Sequence, residues 1–270
     1  MPHKRILILY LALPMLVLVT VTARAITQAA ANDTPTRIAA PQAPLAQTIR
    51  LSVSAAGDEA NGGSFAPAFA ADGTAVAFAS AATNLTTNPP SGVWQIFVKD
   101  LASGVVTLAS VSTDGAAANN HADDPALDAT GRHVAFASQA TNLVTGTVNS
   151  WTDVFVRDTA VLTTTLISAA ADGTPGNAES RNPALSADGR YVVFQSSANN
   201  LIANDFSPFS DVFVRDRDAD ENGVFDEAET ALILRLSQNA GGTRPPTASP
   251  PTRPSLPMGA GWSSHPPQPI

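Results

Sequence analysis

The sequence predicts an all-β fold: a partial β-propeller of three four-stranded antiparallel blades in an incomplete ring. Three observations predict it: a 58-residue repeat, four short β-rich segments in each copy, and a tight hairpin signal between the first two segments. Short strands with turn signals at regular spacing are typical of all-β folds. A fixed period favours the propeller, because one sheet can bury its faces only against neighbouring copies.

The repeat consists of residues that recur at one spacing. The positions that recur every 58 residues are Pro67, Pro125 and Pro183; Gly73, Gly131 and Gly189; Phe78, Phe136 and Phe194; Asn84, Asn142 and Asn200; and Phe97, Phe155 and Phe213. A serine leads each unit, at Ser52, Ser110 and Ser168, and an aspartate follows the third strand, at Asp100, Asp158 and Asp216. Because a residue present in every blade is usually structural, we expect the Asn set to cap turns and the Asp set to end strands.

The third copy shows the four strands clearly. Residues 183–186 predict the first strand and residues 191–194 the return strand, joined by a hairpin at Asp188-Gly189, where glycine accepts a positive φ. Residues 211–215 are β-branched and aromatic, as expected for a buried third strand. Residues 164–168 supply the fourth strand of the preceding unit. A parallel β-helix is the competing fold, but its coils are shorter and lack Asp-Gly hairpins.

Two segments of this copy resemble a known group of repeats. Residues 183–194 (Pro-Ala-Leu-Ser-Ala-Asp-Gly-Arg-Tyr-Val-Val-Phe) and 211–216 (Asp-Val-Phe-Val-Arg-Asp) resemble the WD40-like propeller repeats of the TolB family. The resemblance covers about residues 47–239 and implies a periplasmic or extracellular protein-binding propeller. Copy one departs from the pattern with Thr74 after its Asp-Gly turn, and copy two has Thr130 in place of the turn aspartate.

The N-terminal segment predicts export. Residues 1–25 have a basic start, an apolar stretch over 6–21 and a small-x-small site at Ala23-Arg24-Ala25, the order of a cleaved signal helix. An uncleaved membrane anchor is the alternative. The apolar stretch contains Pro14 and is shorter than the roughly 20 residues a span needs. We therefore expect no membrane insertion after cleavage, and an extracytoplasmic location in the periplasm or outside the cell.

The remaining chain divides by composition. The predicted parts are an Ala/Thr/Pro-rich linker at 26–46, repeats at about 47–104, 105–162 and 163–239 with an insertion at 216–230, and a Pro-rich tail at 240–270. Residues 48–54 match the fourth strand of a blade, although no blade precedes them. In propellers such a strand commonly completes the last blade of the ring.

The tail has two interpretations. Its composition predicts disorder. Alternatively it is a fourth repeat translated in the wrong frame, because the shifted frame around Met258 and Trp262 permits Asp-Gly-Arg-Trp-Val-Val-Phe, mirroring the end of residues 177–194. The offset is the 69 residues that separate Ser168 from Ser237. The chain is then a truncated part of a longer propeller, whose exposed blade edges favour self-association.

Charge and composition exclude several classes of function. Removal of residues 1–25 leaves 12 basic and 23 acidic residues, a formal charge of −11, which disfavours nucleic acid and anionic lipid as partners. The chain has no cysteine, so disulfides and thiolate catalysis are excluded. It also lacks Gly-x-Ser-x-Gly, a phosphate loop and His-Glu-x-x-His.

An acidic segment in the insertion resembles a calcium loop. Its predicted ligands are Asp216, Asp218, Asp220, Asn222 and Glu227, at loop positions one, three, five, seven and twelve. Ca²⁺ prefers six to eight oxygen ligands, which alternating carboxylates can supply. Position six is normally glycine and here is Glu221. The segment therefore predicts a structural Ca²⁺ site, with a solvated acidic hairpin as the alternative.

Two histidines are left for the repeats once the termini are set aside. His133 occupies the place of Tyr191 and is predicted to be a strand residue, and His121 with Asp123 and Asp124 predicts a turn cluster rather than a metal site. The sequence as a whole predicts an exported, non-catalytic binding or scaffold module whose partner is a protein, peptide or glycan. The alternative is the propeller portion of an exported hydrolase whose catalytic domain is missing.

Overall fold

The computed structural model describes residues 48–87, 92–146, 149–227 and 232–237, and these residues form twelve strands and no helix. The strands are β1 (Ser64–Phe69), β2 (Ala75–Ser80), β3 (Gln95–Asp100), β4 (Val106–Leu108), β5 (Ala122–Leu127), β6 (His133–Ser138), β7 (Asp153–Asp158), β8 (Thr163–Leu166), β9 (Ser180–Leu185), β10 (Tyr191–Ser196), β11 (Asp211–Asp216) and β12 (Leu232–Arg235). The predicted signal helix, linker and tail lie outside these ranges. Nothing helical in the described residues is long and apolar enough to cross a membrane.

The strands form three four-stranded antiparallel sheets. In chain order β1 to β4 form blade 1, β5 to β8 form blade 2 and β9 to β12 form blade 3, each strand pairing with the next. The first strand of blades 2 and 3 packs against the preceding blade, so the sheets succeed one another as propeller blades do. The predicted partial propeller is confirmed, and antiparallel pairing excludes the β-helix. Because β4 lies in the second repeat unit, blades and sequence repeats are offset by one strand.

The recurring phenylalanines form the same core contact in every blade. The second and third strands pair in one register, which places Phe78 opposite Phe97, Phe136 opposite Phe155 and Phe194 opposite Phe213. Each pair is buried and stacked with ring centroids 5.9 Å apart. Aromatic pairs across neighbouring strands stabilise a sheet beyond the area they bury.

The recurring asparagines hold each blade's entry loop. Asn142 Oδ1 accepts a hydrogen bond from the backbone N–H of Asn119 at 2.9 Å, and its Nδ2 donates to the carbonyl of Ala117 at 2.8 Å. Asn84 and Asn200 make the same pair of bonds in their own blades. These asparagines are structural, as their recurrence predicts.

A cation recurs in the third strand of each blade. Arg157 Nη1 donates to the carbonyls of Ser112 and Leu162 at 3.1 and 2.9 Å. Arg215 and Lys99, at the equivalent positions, donate to the connecting segments that precede their own blades. Burial lowers the pKa of all three side chains. Their 58-residue spacing was the signal that could have identified them, since buried backbone carbonyls need donors.

Residues 48–54 do not pair as a strand in the described part of the chain. Their one bridge joins Val53 to Glu59, and Lys99 Nζ donates to the carbonyl of Val53 at 3.1 Å. Equivalent bridges occur before blades 2 and 3. Residues 51–54 therefore enter blade 1 as the connecting segments enter the other blades.

Blade 3 differs from the other two in exposure. Strands β2 and β6 are buried along their whole length, because the next blade covers them. Strand β10 alternates between buried and exposed residues, with Tyr191 39% exposed, and the neighbouring Val212 is 37% exposed. Among the described residues no fourth blade covers this face.

Candidate functional site

The predicted calcium loop follows β11, and the structure separates one of its five residues from the rest. Asp216 is the last residue of β11, and its carboxylate accepts hydrogen bonds from Arg190 Nε at 2.7 Å and Arg190 Nη2 at 2.8 Å. Its Oδ1 also accepts the backbone N–H of Asp218. Asp216 therefore acts as a strand-end residue that is held by an arginine.

The other four predicted ligands lie together in the loop. Asp218 is buried, and its carboxylate accepts the backbone N–H groups of Asn222 and Gly223 at about 3 Å. Asn222 Nδ2 donates to Asp220 at 2.9 Å and to Glu227 at 2.6 Å. These N–H groups donate to the oxygens that Ca²⁺ would use, so metal binding would have to replace some of these hydrogen bonds.

The sixth loop position takes the conformation that glycine normally supplies. Glu221 has a φ of 59°, in the left-handed region, so the loop makes its sharp turn without the expected glycine. Across the described ranges, no three His, Asp or Glu side chains are grouped so as to hold a metal. Calcium binding stays a prediction, and it requires Asn222 to turn away from the carboxylates.

The insertion instead packs into the interface between blades 2 and 3, which we call the second interblade interface. Arg217 Nη1 donates to the carbonyl of Gly189 at 2.7 Å, and the guanidinium forms a bidentate pair with Asp226. The Phe225 ring lies 4.8 Å from the Arg217 guanidinium and 5.5 Å from the ring of His133. Residues of three chain segments thus fill this interface.

His133 lies in the same interface, and its contacts with two carboxylates resemble those of a catalytic histidine. It begins β6, as predicted, and its Nδ1 lies 2.6 Å from Asp128 Oδ2 while its Nε2 lies 3.3 Å from Asp158 Oδ2. Both ring nitrogens are engaged and the side chain is buried. A Cβ at Gly189 would come within 2.3 Å of its Nδ1, which leaves no room for a substrate. His133 is therefore a packing residue.

The two carboxylates beside His133 are strongly stabilised as anions. Burial raises the pKa of Asp158, but hydrogen bonds from Arg132 and from the backbone of Val161 and Ala160 outweigh it and bring the pKa to about 2. Burial also raises the pKa of Asp128, but hydrogen bonds from His133 outweigh this effect, so the pKa is lowered. Asp128 and Asp158 are therefore ionised carboxylates whose hydrogen bonds come from the fold itself.

The interface between blades 1 and 2, the first interblade interface, is open. It contains a cavity of about 410 Å³. The lining residues are Thr74, Ala75, Val98, Asp100, Val105, Thr107, Thr130, Gly131, Arg132, Thr159 and Ala160. Ala75 stands where blade 2 has His133, and Thr159 and Ala160 stand where blade 3 has Arg217 and Asp218. Smaller side chains and a short turn therefore leave the space that the insertion fills in the second interface.

A polar cluster lies on the first strands of blades 2 and 3. Arg181 pairs with Glu179 at 2.6 Å and with Asp123 at 3.5 Å. Burial, together with the neighbouring Asp124, raises the pKa of Asp123. The prediction of a turn cluster at 121–124 was wrong for these aspartates: both lie in β5, at a bulge where Asp124 has a φ of 50°.

His121 stands just before that strand. Its Nδ1 accepts a hydrogen bond from the backbone N–H of Trp94 at 3.2 Å, so it connects blade 2 to the end of the loop before β3.

The bulge at Asp124 arises because Pro125, the next residue, cannot donate a hydrogen bond to the neighbouring strand. The sequence signal for it is the recurring X-Pro pair, which was available at every copy.

Comparison with known proteins gives structural likenesses of low similarity. A structure assigned as TolB from Agrobacterium tumefaciens is 17% identical and covers 64% of this chain and 49% of its own, with a TM-score of 0.39. The tricorn protease is 18% identical, with 57% and 14% covered and a TM-score of 0.38. The β-propeller domain of the Trilobed protease from Pyrococcus furiosus is 14% identical, with 65% and 44% covered and a TM-score of 0.36.

No protein-family model matches the chain, and no curated protein matches it. The chain spans about half the length of the Agrobacterium protein, and less than half the length of the other two proteins. The sheet topology therefore defines the fold.

Proposed function

We propose that this chain is an exported, non-catalytic β-propeller module that binds a protein, peptide or glycan. The observation that carries the proposal is the open first interblade interface, a concave cavity with hydroxyl groups, one carboxylate and apolar walls. Such a mixture of a few polar groups on an apolar surface is typical of ligand sites. The resemblance to TolB-type repeats and the predicted signal peptide support an extracytoplasmic location.

The described charged side chains favour binding over catalysis. His133 contacts both Asp128 and Asp158, all three are buried, and Arg217 is bonded within its own interface. A general base must reach a substrate proton within hydrogen-bond distance. The buried histidine has no such access, since Gly189 packs directly against its ring.

Filling the cavity tests the proposal. The chain is immobilised and exposed to peptide and glycan arrays, and Ala160→Trp places a large side chain at the cavity rim. We expect this variant to lose the ligands that the unmodified chain captures, while Ala171→Trp, in an exposed turn, retains them. Equal capture by both variants would place binding elsewhere. Turnover of an ester, glycoside or peptide substrate by the purified chain would favour the hydrolase alternative.

We also propose that the intact protein carries a fourth repeat after blade 3. Ser237 Oγ donates to Asp211 Oδ1 at 2.6 Å and accepts the backbone N–H of Val212 at 3.0 Å. Ser168 makes the same two bonds where the chain passes from blade 2 to blade 3. The exposed face of blade 3 supports the idea. Sequencing the coding DNA across Met258 decides it, because a shifted frame without the repeat refutes it.

A further inference from the structure

Two blades contain the same arginine–aspartate pair. In blade 2, Arg132 donates through Nε and Nη2 to Asp158 at 3.1 and 2.8 Å. In blade 3, Arg190 donates through Nε and Nη2 to Asp216 at 2.7 and 2.8 Å. In each case the arginine follows the Asp-Gly or Thr-Gly hairpin turn, and the aspartate ends the third strand. This strand-end carboxylate is therefore positioned to bind a guanidinium in a bidentate manner.

Blade 1 contains the aspartate without the arginine. Asp100 ends β3 as Asp158 and Asp216 end their strands, but position 74 is threonine. Thr74 bonds to Asp72 within its own turn. Asp100 is held by Ser103, whose hydroxyl and backbone N–H donate to Oδ1, and no cationic side chain among the described residues pairs with it. These bonds from Ser103 lower the pKa of Asp100, so it is ionised at neutral pH.

The place that an arginine side chain would occupy is the cavity of the first interblade interface. Asp100 lines it, together with the apolar Val98 and Val105 and the hydroxyl-bearing Thr107. An aliphatic stem can therefore lie along the valines while its charged end reaches the carboxylate. Arg132 lies on the far wall, but Asp158 neutralises it.

We propose that this cavity binds the guanidinium group of an arginine residue in a peptide or protein ligand, with Asp100 as its acceptor. The planar guanidinium presents two parallel N–H donors, which the compact ammonium of lysine cannot do. The ligand supplies to blade 1 the group that Arg132 and Arg190 supply to blades 2 and 3. This inference rests on the proposed binding function and specifies the chemistry of its ligand.

The first test measures binding of a defined probe to the full chain. Titration with N-acetyl-arginine amide, followed by NMR chemical shifts, is expected to saturate and to perturb residues that line the cavity. N-acetyl-lysine amide is expected to bind roughly tenfold more weakly. Asp100→Asn is expected to weaken arginine binding by roughly tenfold or more, as expected for loss of a charge-assisted bidentate contact. Asp172→Asn, an exposed turn carboxylate in a different blade, is the charge-matched control and should leave binding unchanged.

The second test supplies the guanidinium from the chain itself. Thr74→Arg recreates in blade 1 the pair seen in the other blades, so arginine binding is expected to disappear while the melting temperature stays equal or rises. Retention of arginine binding in both Asp100→Asn and Thr74→Arg, or no arginine binding to the unmodified chain, would overturn the inference. If the arginine inference fails in this way, the proposed binding function still holds when the chain captures an arginine-free peptide or glycan and Ala160→Trp abolishes that capture. Failure of every probe would refute both.

Discussion

The two interblade interfaces are built from the same repeat and yet differ in content. In the second, His133, Arg217 and Phe225 fill the space between the blades. In the first, Ala75 and a short turn leave a cavity of about 410 Å³. The repeated residues thus determine the blades, whereas a few positions outside them determine whether an interface is filled or contains a cavity.

The same comparison separates structural from available charges. Asp158 in the second interface accepts bonds from an arginine and lies beside a histidine, while Asp100, its equivalent in the first, has only its own turn. A carboxylate that the fold already satisfies has no acceptor capacity left for a ligand. The copy without a cationic partner, Asp100, is therefore the one that retains acceptor capacity.

The largest effect is expected from Gly189→Ala. Its backbone has a φ of +76°, and the new Cβ would lie 2.3 Å from His133 Nδ1, so we expect a loss of about 3 kcal/mol in the free energy of unfolding. Gly73 has a φ of +75°, and a Cβ added there would meet nothing within 4 Å, so Gly73→Ala should cost about 1 kcal/mol. Urea denaturation measures both.

A second substitution isolates the contact from the backbone strain. In a His133→Ala background, Gly189→Ala should lower the free energy of unfolding by no more than Gly73→Ala does, because the imidazole ring that clashes with the new Cβ is absent. If Gly189→Ala and Gly73→Ala cost the same in the unmodified chain, the ring of His133 does not pack tightly against Gly189.

Asp158→Asn is expected to cost about 2 to 3 kcal/mol at neutral pH, because it removes a buried charge that Arg132 and His133 both contact. The folded-state pKa of about 2 lies below the ordinary 3.8, so the carboxylate stabilises the fold above about pH 4. That contribution is lost as pH falls from about 4 through 2. Melting curves between pH 2 and 7 should show the gap between the two proteins shrinking in this window.

Asp100→Asn is the matched control in the first interface. Since Asp100 is exposed and bonded only within its own turn, we expect a much smaller change in melting temperature than for Asp158→Asn throughout that range. A pH-independent gap for Asp158→Asn, or an equal gap for both variants, would contradict the distinction between the two carboxylates.

Phe225→Ala tests the insertion as a filler of the second interface. The ring is half-buried against Arg217 and His133, so its removal should cost about 1 to 2 kcal/mol. Phe206→Ala removes a ring that is 85% exposed and should leave the urea midpoint unchanged. Equal midpoints for the two variants would show that the insertion does not stabilise the interface.

The smallest effect is expected from Ca²⁺. With an affinity typical of extracellular sites, a few millimolar Ca²⁺ should stabilise the chain by about 1 kcal/mol and raise the melting temperature by about 2 to 4 °C. Asp220→Asn removes one exposed loop carboxylate and should abolish the rise, and Mg²⁺ serves as the control. An identical melting temperature in Ca²⁺ and in chelator would remove the calcium prediction.

Much of the fold could be predicted from the sequence, because its determinants repeat. Phe136 and Phe155 recur with their partners at a fixed step, and residues that recur in that way must occupy equivalent places in equivalent sheets. The Gly189 turn and the Asn142 cap follow from local chemistry. Each of these features depends on contacts within one blade.

The interfaces could not be predicted in the same way. The contact between His133 and Gly189 joins two blades, and nothing in the sequence states which face of one blade meets which face of the next. The calcium pattern at 216–227 did not indicate that Arg190, in a hairpin 26 residues away, pairs with its first carboxylate. The sequence shows the departure at Thr74, but only the structure shows that it leaves the neighbouring Asp100 without a cationic partner.

The offset between repeats and blades has a consequence for how such a chain can lengthen. The second and third repeats each open with the strand that finishes the previous sheet, as β4 finishes blade 1 and β8 finishes blade 2. Gene duplication or deletion at the repeat boundary therefore adds or removes one unit while every existing sheet keeps four strands. Blades 1 and 2 each draw strands from two units, so that the second or third unit cannot unfold without removing an edge strand from the preceding blade.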